Sequence, residues 1–275
     1  MKKGPGFLSR RAILKTVAGL ATVSLCGVAT GRFAHADTLD TVRQSGIIRI
    51  AVPQDYAPFG SVGPDMQLRG YDVEVAKLIA AGLHVKLQMV PVSMANKIPY
   101  LVSNKVDVVL NLGNNAERAK VIDFTQPYAP YYIGVFGPHD SALPDLAALG
   151  GKSISVVTSS TDDLLITKNA PANTIVQRFQ DNSSAVSAFL SGKTEFLATG
   201  NIVGAALLAN NPDRHYAQKL LLMNSPVCAA VRKNDVVMLA AVNHVFAGLK
   251  QDGVLQRLSL EWLKQPLEAS AANGK

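Results

Sequence analysis

The chain has 275 residues, with 27 Lys and Arg against 20 Asp and Glu, a formal charge of +7, and two cysteines. Residues 1–36 hold 6 of the basic residues (Lys2, Lys3, Arg10, Arg11, Lys15, Arg32) and no acid, which leaves 21 against 20 beyond them, a net charge of +1. That near-neutral remainder has no clustered charge, which excludes a nucleic-acid or anionic-membrane surface built on charge. Its single cysteine, Cys228, excludes an intrachain disulfide, so stability must come from burial.

The chain starts with the basic "MKKGPGFLSRRAILK", continues with the apolar "TVAGLATVSLCGVATG" and reaches the small residues of "AHA". That order predicts a secretory signal peptide over 1–36, cleaved after Ala36, and a periplasmic destination. Arg10–Arg11 in "SRRAILK" resembles the twin-arginine export signal, with Ile13 where Phe is more usual. A lipid-anchored Cys26 is the rival reading, and bulky Leu25 in front of it argues against that chemistry.

Beyond the signal, 239 residues (275 − 36) suffice for one large or two modest cores. "IIRIAV" reads as a buried strand and "YDVEVAKLIAAGL" as a helix ending at Gly82. "VKLQMVPV" is strand-like, "ANKIPYLVSNK" helical and "VDVVLNL" a strand. After a turn-rich "TQPYAPYYIGVFGPHDSALPD", the strands "KSISVVT", "NTIVQRF" and "EFLATG" alternate with the helices "TDDLLITKN" and "NSSAVSAFLSGK". "KLLLM" and "VCAAVRK" follow, then a long helix from about Asp235 to Gln251, a terminal helix ending near Trp262 and a disordered tail, "EASAANGK". This alternation predicts an α/β protein with mostly parallel sheets. It breaks near Tyr131–Val135 and again near Ser225–Cys228, which suggests two lobes and two connections; the pattern alone leaves a single doubly wound sheet open.

Certain stretches carry a resemblance. Tyr56-Ala57-Pro58-Phe59, Gly70-Tyr71-Asp72-Val73, "KIPYLVSNKVDVVL", "ERAKVIDFTQPY" and "AVRKNDVVMLAAVNHVFAGLKQDGVLQRLSLEWL" follow one another in the order typical of the periplasmic solute-binding proteins of amino-acid ABC transporters. The chain resembles that family over nearly all of its mature length. The resemblance implies two α/β lobes joined by two hinge strands, with the ligand in the cleft between them. It divides the chain into a larger lobe of residues 37–132 plus 227–275 and a smaller one of 133–226. It also implies a monomer that delivers a small carboxylate-bearing solute, an amino acid or a derivative, to a membrane ABC permease, with no cofactor.

Arg118 is the central expectation, because a guanidinium presents a planar fork that pairs a carboxylate with two hydrogen bonds. A surface ion pair with Glu117 or Asp123 is its bland alternative. Ser159, Ser160 and Thr161 read as the cap of a helix whose free N–H groups suit an anion, and family position adds Asp162 to Ser160 and Thr161 as ligand contacts. Tyr56 is the expected aromatic wall, Phe59 a core residue and Met94 an adaptable apolar contact. Several family positions depart from the pattern: Met94 stands where an aromatic residue is usual, and Pro53, with Asp55 near, where an acid often precedes the first aromatic turn. The acid that holds a ligand's ammonium falls on Gly200, with Asn201 beside it, and the usual hydroxyl residue before the arginine is Gly113 in "NLGNN". Asn111 and Asn114 are left to supply amide hydrogen bonds, and the ammonium clamp is weakened.

Other chemistry finds little footing. No nucleophile elbow, phosphate loop or dinucleotide fingerprint occurs, and His84, His139, His215 and His244 lack metal-ligand spacing. An enzyme on the same fold, similar to cyclohexadienyl dehydratases, needs an acid in the cleft, and Asp162 is the one candidate. A sensor that presents its liganded form to a receptor is a third reading.

Overall fold

The computed structural model describes residues 37–267. The expectations for the signal segment (Arg10–Arg11, Cys26, cleavage after Ala36) and for the C-terminal tail lie outside the described residues.

Helix α1 (Thr38–Ser45) opens on Asp37, whose carboxylate accepts the Asp40 N–H at 2.8 Å, and closes on Gly46 at φ +67°. The apolar run Ile47–Pro53 is strand β1, buried along its second half. Short strands β2 (Asp55–Tyr56), β3 (Gly60–Val62) and β4 (Leu68–Arg69) form a small antiparallel sheet. Then come α2 (Tyr71–Gly82), β5 (Lys86–Val92), α3 (Lys97–Val102), β6 (Val108–Gly113), α4 (Ala116–Ala119) and β7 (Ile122–Ala129). The next stretch holds β8 (Tyr132–Pro138), β9 (Ser153–Val157), α5 (Thr161–Asn169), β10 (Ile175–Phe179), α6 (Asn182–Leu190), β11 (Phe196–Gly200), α7 (Asn201–Asn210) and β12 (Tyr216–Asn224). Strand β13 (Val227–Arg232) and helices α8 (Val236–Gln251) and α9 (Val254–Leu258) complete the chain.

The long strands make two sheets of the same design, ordered β5-β1-β6-β13-β7 and β10-β9-β11-β8-β12. In the first, β1 runs parallel to β5 and β6 while β13 runs against both neighbours. In the second, β9 runs parallel to β10 and β11 while β8 runs against both of its own. The reversed strand is in each case the one by which the chain enters that sheet from the other. These two crossings lie side by side: Tyr131 C=O accepts the Ser225 N–H at 3.0 Å. Each sheet packs apolar clusters on its two faces, so each lobe has its own core.

Two expectations need correction. Much of "TQPYAPYYIGVFGPHD", expected as turns, is strand β7 and strand β8. Its prolines sit where strands tolerate them: Pro127 at an irregular register on the edge strand β7, Pro130 at the crossing and Pro138 at a strand end. The other is helix α7, absent from the expected elements, because "NIVGAALLAN" is apolar on most sides and shows weak periodicity.

Gly204 of α7 lies against Phe136 of β8, where an added Cβ would stand 1.9 Å from the ring. Gly204→Ala is therefore expected to cost about 1–3 kcal/mol through overpacking. Gly248→Ala, on an exposed face of α8 with open space around it, is expected to stabilise by about 0.5–1 kcal/mol. Urea melts of both variants check the pair.

Candidate functional site

The parallel strands of both sheets end toward one gap, and the residues there line a cleft whose empty volume, open solvent included, is about 440 Å³. Its wall takes Asn111 and Gly113 from β6, Arg118 from α4, and Ser160, Thr161 and Asp162 from the start of α5, together with Tyr56 and Met94. Eight of the ten residues expected from the sequence thus meet here.

Arg118 is held at the N-terminal turn after β6, where Asn115 caps α4 by accepting the Arg118 N–H at 2.9 Å. Its side chain is 7% exposed and reaches across the gap. Nη1 donates to Gly113 C=O at 2.9 Å and to Thr161 Oγ1 at 3.0 Å, and Nη2 donates to Ser159 C=O at 2.8 Å. Neither Glu117 nor Asp123 pairs with it, because Lys120 takes the first and Lys233 the second. A guanidinium has five donors, so Nε–H and one N–H of Nη2 are left for something in the cavity. Burial pulls the Arg118 pKa down, and Asp162 pulls it back up through charge.

Opposite this cation stands the start of α5. Ser160 caps the helix with its hydroxyl, which accepts the Asp163 N–H at 3.1 Å. Ser159 takes φ +63° to make the turn, and its N–H donates to the Asp163 carboxylate at 3.0 Å. The Thr161 N–H has no partner among the described residues, so the helix start offers an anion both a donor and the positive end of its dipole. Asp162 is buried, and burial pushes its carboxyl up to about 6 against the lowering effect of the Ser160 hydroxyl.

Asn111 is fixed by a ring of buried side chains. Its N–H donates to Tyr128 Oη at 2.9 Å, Tyr128 Oη donates to Asp72 at 2.6 Å, and the Asn111 amide donates to the other Asp72 oxygen at 3.0 Å. Lys97 Nζ closes the set by donating to Asn111 C=O at 2.6 Å. That ring holds Asn111 at φ +61°, a left-handed conformation disfavoured for most residues. Burial drives the Asp72 carboxyl up and the Lys97 ammonium down. The Asn111 Oδ1 is left as a cavity acceptor.

Gly200 and Asn201 do not line this cavity. Asn201 spends its amide on the Tyr132 N–H at 3.1 Å and on Gln265 at 3.1 Å. Gly200 lies under the ring of Tyr131, which does line the cavity and contacts the Tyr56 hydroxyl with its own. Sequence reading missed Tyr131, whose signal was its place at the lobe crossing. Phe59 is fully buried and stacks on Tyr56, and Asn114 is not among the wall residues. Across the rim, Asp55 accepts the Ser183 hydroxyl at 2.6 Å and its C=O accepts the Asn182 amide at 2.8 Å. Among the described residues no cluster of His, Cys, Asp or Glu could hold a metal, and no helix is long and apolar enough to cross a membrane.

Residues 48–265 match the family described as bacterial extracellular solute-binding proteins, family 3. The L-cystine-binding protein TcyJ of Escherichia coli (strain K12) is 25% identical over 258 residues, 93% of this chain and 96% of that one. The cysteine-binding protein of Campylobacter jejuni is 30% identical, with a TM-score of 0.77 over 83% of this chain and 93% of its own. An ancestral amino acid-binding protein, a precursor of cyclohexadienyl dehydratase, is 27% identical with a TM-score of 0.73 over 83% and 100%.

The raised carboxyl of Asp162 has a sign that can be checked. Between its ordinary value of 3.8 and about 6 the folded chain holds a proton that the unfolded chain has lost, so this group's contribution is full at acid pH and falls as pH rises through about 6. Asp162→Asn, which mimics the protonated acid, is expected to raise the ligand-free melting midpoint by at least about 2 °C near pH 7.5 and to leave it unchanged near pH 4. Melts followed by circular dichroism at both pH values test this.

Proposed function

Because the chain belongs to the bacterial extracellular solute-binding proteins, family 3, we propose that it captures an amino acid or a related small carboxylate-bearing solute between its lobes and delivers it to the permease of an ABC importer. The observation that carries this reading is Arg118, a buried cation with unused donors facing the unpartnered Thr161 N–H across an enclosed gap. A ligand carboxylate set between them completes both, each charged hydrogen bond contributing about 1.5–3 kcal/mol. Tyr56 and Met94 cover the rest of the ligand, and Asn111 accepts from its donors.

In this reading residues 37–132 with 227–275 form the larger lobe and 133–226 the smaller, and the protein works as a monomer in the periplasm after its signal is removed. The solute docks on Arg118 and draws in the start of α5, so closure is driven by the contacts that the ligand adds across both lobes. The relatives named above include an L-cystine-binding and a cysteine-binding protein, which supports an amino acid as the first class to test.

The rival is an enzyme on this fold. It rests on Asp162, a buried acid with a raised pKa in the cavity, and on the dehydratase lineage of one structural relative. Purified protein is expected to leave prephenate and arogenate unchanged; turnover of either compound, followed by absorbance, would replace binding by catalysis.

Arg118→Ala is expected to weaken the best solute found in a thermal-shift screen by at least about 1.5 kcal/mol, roughly tenfold or more. Arg118→Lys, which keeps the charge and loses the fork, is expected to recover only part of that. Calorimetry on the three proteins decides, and unchanged affinity in Arg118→Ala removes the residue from the site.

A further inference from the structure

Gly200 and Tyr131 fit each other in a way that fixes the chemistry of the cavity. A Cβ at residue 200 would stand 2.0 Å from Tyr131 Oη and within 2.2 Å of two ring carbons. No side chain, acidic or otherwise, can leave the end of β11 while Tyr131 keeps this place. The Tyr131 hydroxyl meets that of Tyr56, whose ring is set edge-on to it with centroids 6.4 Å apart. Burial pushes both phenols' pKa values up, and the charge of nearby Asp162 adds to that, so both stay protonated.

Asp162 is the unbalanced member of this group. It is 6% exposed, it faces the cavity, and among the described residues no Lys or Arg lies within ion-pair distance of it. Its nearest counter-charge is Arg118, which acts across the gap and is bound to Gly113, Thr161 and Ser159 instead. A buried carboxylate without a cation is costly. The cavity therefore presents a fixed positive end and a separate negative end, with phenol oxygens and an aromatic face beside the negative one. An ammonium suits that end on three counts: it neutralises the carboxylate, donates to oxygen acceptors, and is attracted to an aromatic face.

We propose that Asp162 and Tyr131 hold the ammonium of a zwitterionic ligand whose carboxylate lies on Arg118, and that Gly200 is glycine so that Tyr131 can take this position. The proposal rests on the carboxylate reading of Arg118 and adds to it the cationic half of the ligand. Tyr131 becomes a specificity-determining residue: its ring closes the route by which an acid from β11 could reach the ligand, and leaves that task to α5.

The test uses the mature protein and isothermal titration calorimetry. The twenty standard amino acids and L-cystine are screened, and the tightest binder is compared with its deamino analogue, the same acid lacking the ammonium. Wild type is expected to bind the deamino acid at least 100-fold more weakly. Asp162→Asn is expected to lose at least 30-fold for the amino acid and less than threefold for the deamino acid, since only the first carries the cation. Tyr131→Phe is expected to lose a smaller factor, about three- to tenfold, again for the amino acid alone. Gly200→Ala is expected to lower both affinity and melting midpoint in wild type, and to do so far less in a Tyr131→Ala background. Equal losses for both ligands in Asp162→Asn, or none, overturn the proposal. A wild type that takes the two ligands alike also overturns it, and in that case an Arg118→Ala loss shows the carboxylate reading still standing. If Arg118→Ala has no effect on either ligand, the carboxylate reading itself falls.

Discussion

A guanidinium enclosed between two sheets sets the terms for everything around it. Arg118 is buried, and a buried charge persists only where acceptors replace its water. Those acceptors come from both sides of the gap, Gly113 C=O from the first sheet and Ser159 C=O and Thr161 Oγ1 from the second. The cation is thus a joint between the two sheets. Because the protein supplies fewer acceptors than the fork has donors, it is left with an appetite for one more anion. The helix start that faces it, with a free N–H at Thr161, is complementary to the same anion.

The rest of the cavity sacrifices stability for that arrangement. Asp72, Lys97 and Asp162 are all buried beside it, and burial pushes each toward its neutral form. Apolar residues of like size would be easier to bury. What the charged set gives instead is position. Asn111 keeps a left-handed backbone because Tyr128, Asp72 and Lys97 occupy nearly every hydrogen-bonding group that it has. Among the described residues only its Oδ1 has no partner, and the side chains that fix Asn111 do not line the cavity themselves.

How much of this was legible in the chain differs from one feature to the next. The strand–helix alternation was readable because buried parallel strands are near-continuous apolar runs, and "IIRIAV" and "VDVVLNL" are such runs. Arg118 was readable because the motif "ERAKVIDFTQPY" surrounds it. The crossing strands were hidden behind prolines that edge and terminal positions tolerate, and α7 behind a pattern apolar on too many sides. The ring around Asn111 was out of reach, since α2, α3, β6 and β7 each bring one member and nothing local announces their meeting. Tyr131 shows the limit most clearly. Its importance is a matter of volume against Gly200, a residue distant in the chain, and spacing carries no record of volume.

Gly200 pairs with Ile133 in the second sheet, and Tyr131 stands two residues before that pair, beside the stitch that its carbonyl makes with Ser225. The phenol packs with Tyr56 and Phe59 on the first core, while the glycine it covers lies in the second sheet, so the pair straddles the crossing between them. In a hinged pair of lobes, parts near the axle sweep small arcs, so a fit made there outlasts one made farther out. The α5 start belongs to the second sheet's body, through β9. The arginine and the helix start that faces it sit farther from that crossing, so a swing about it would part them while the phenol stayed over its glycine.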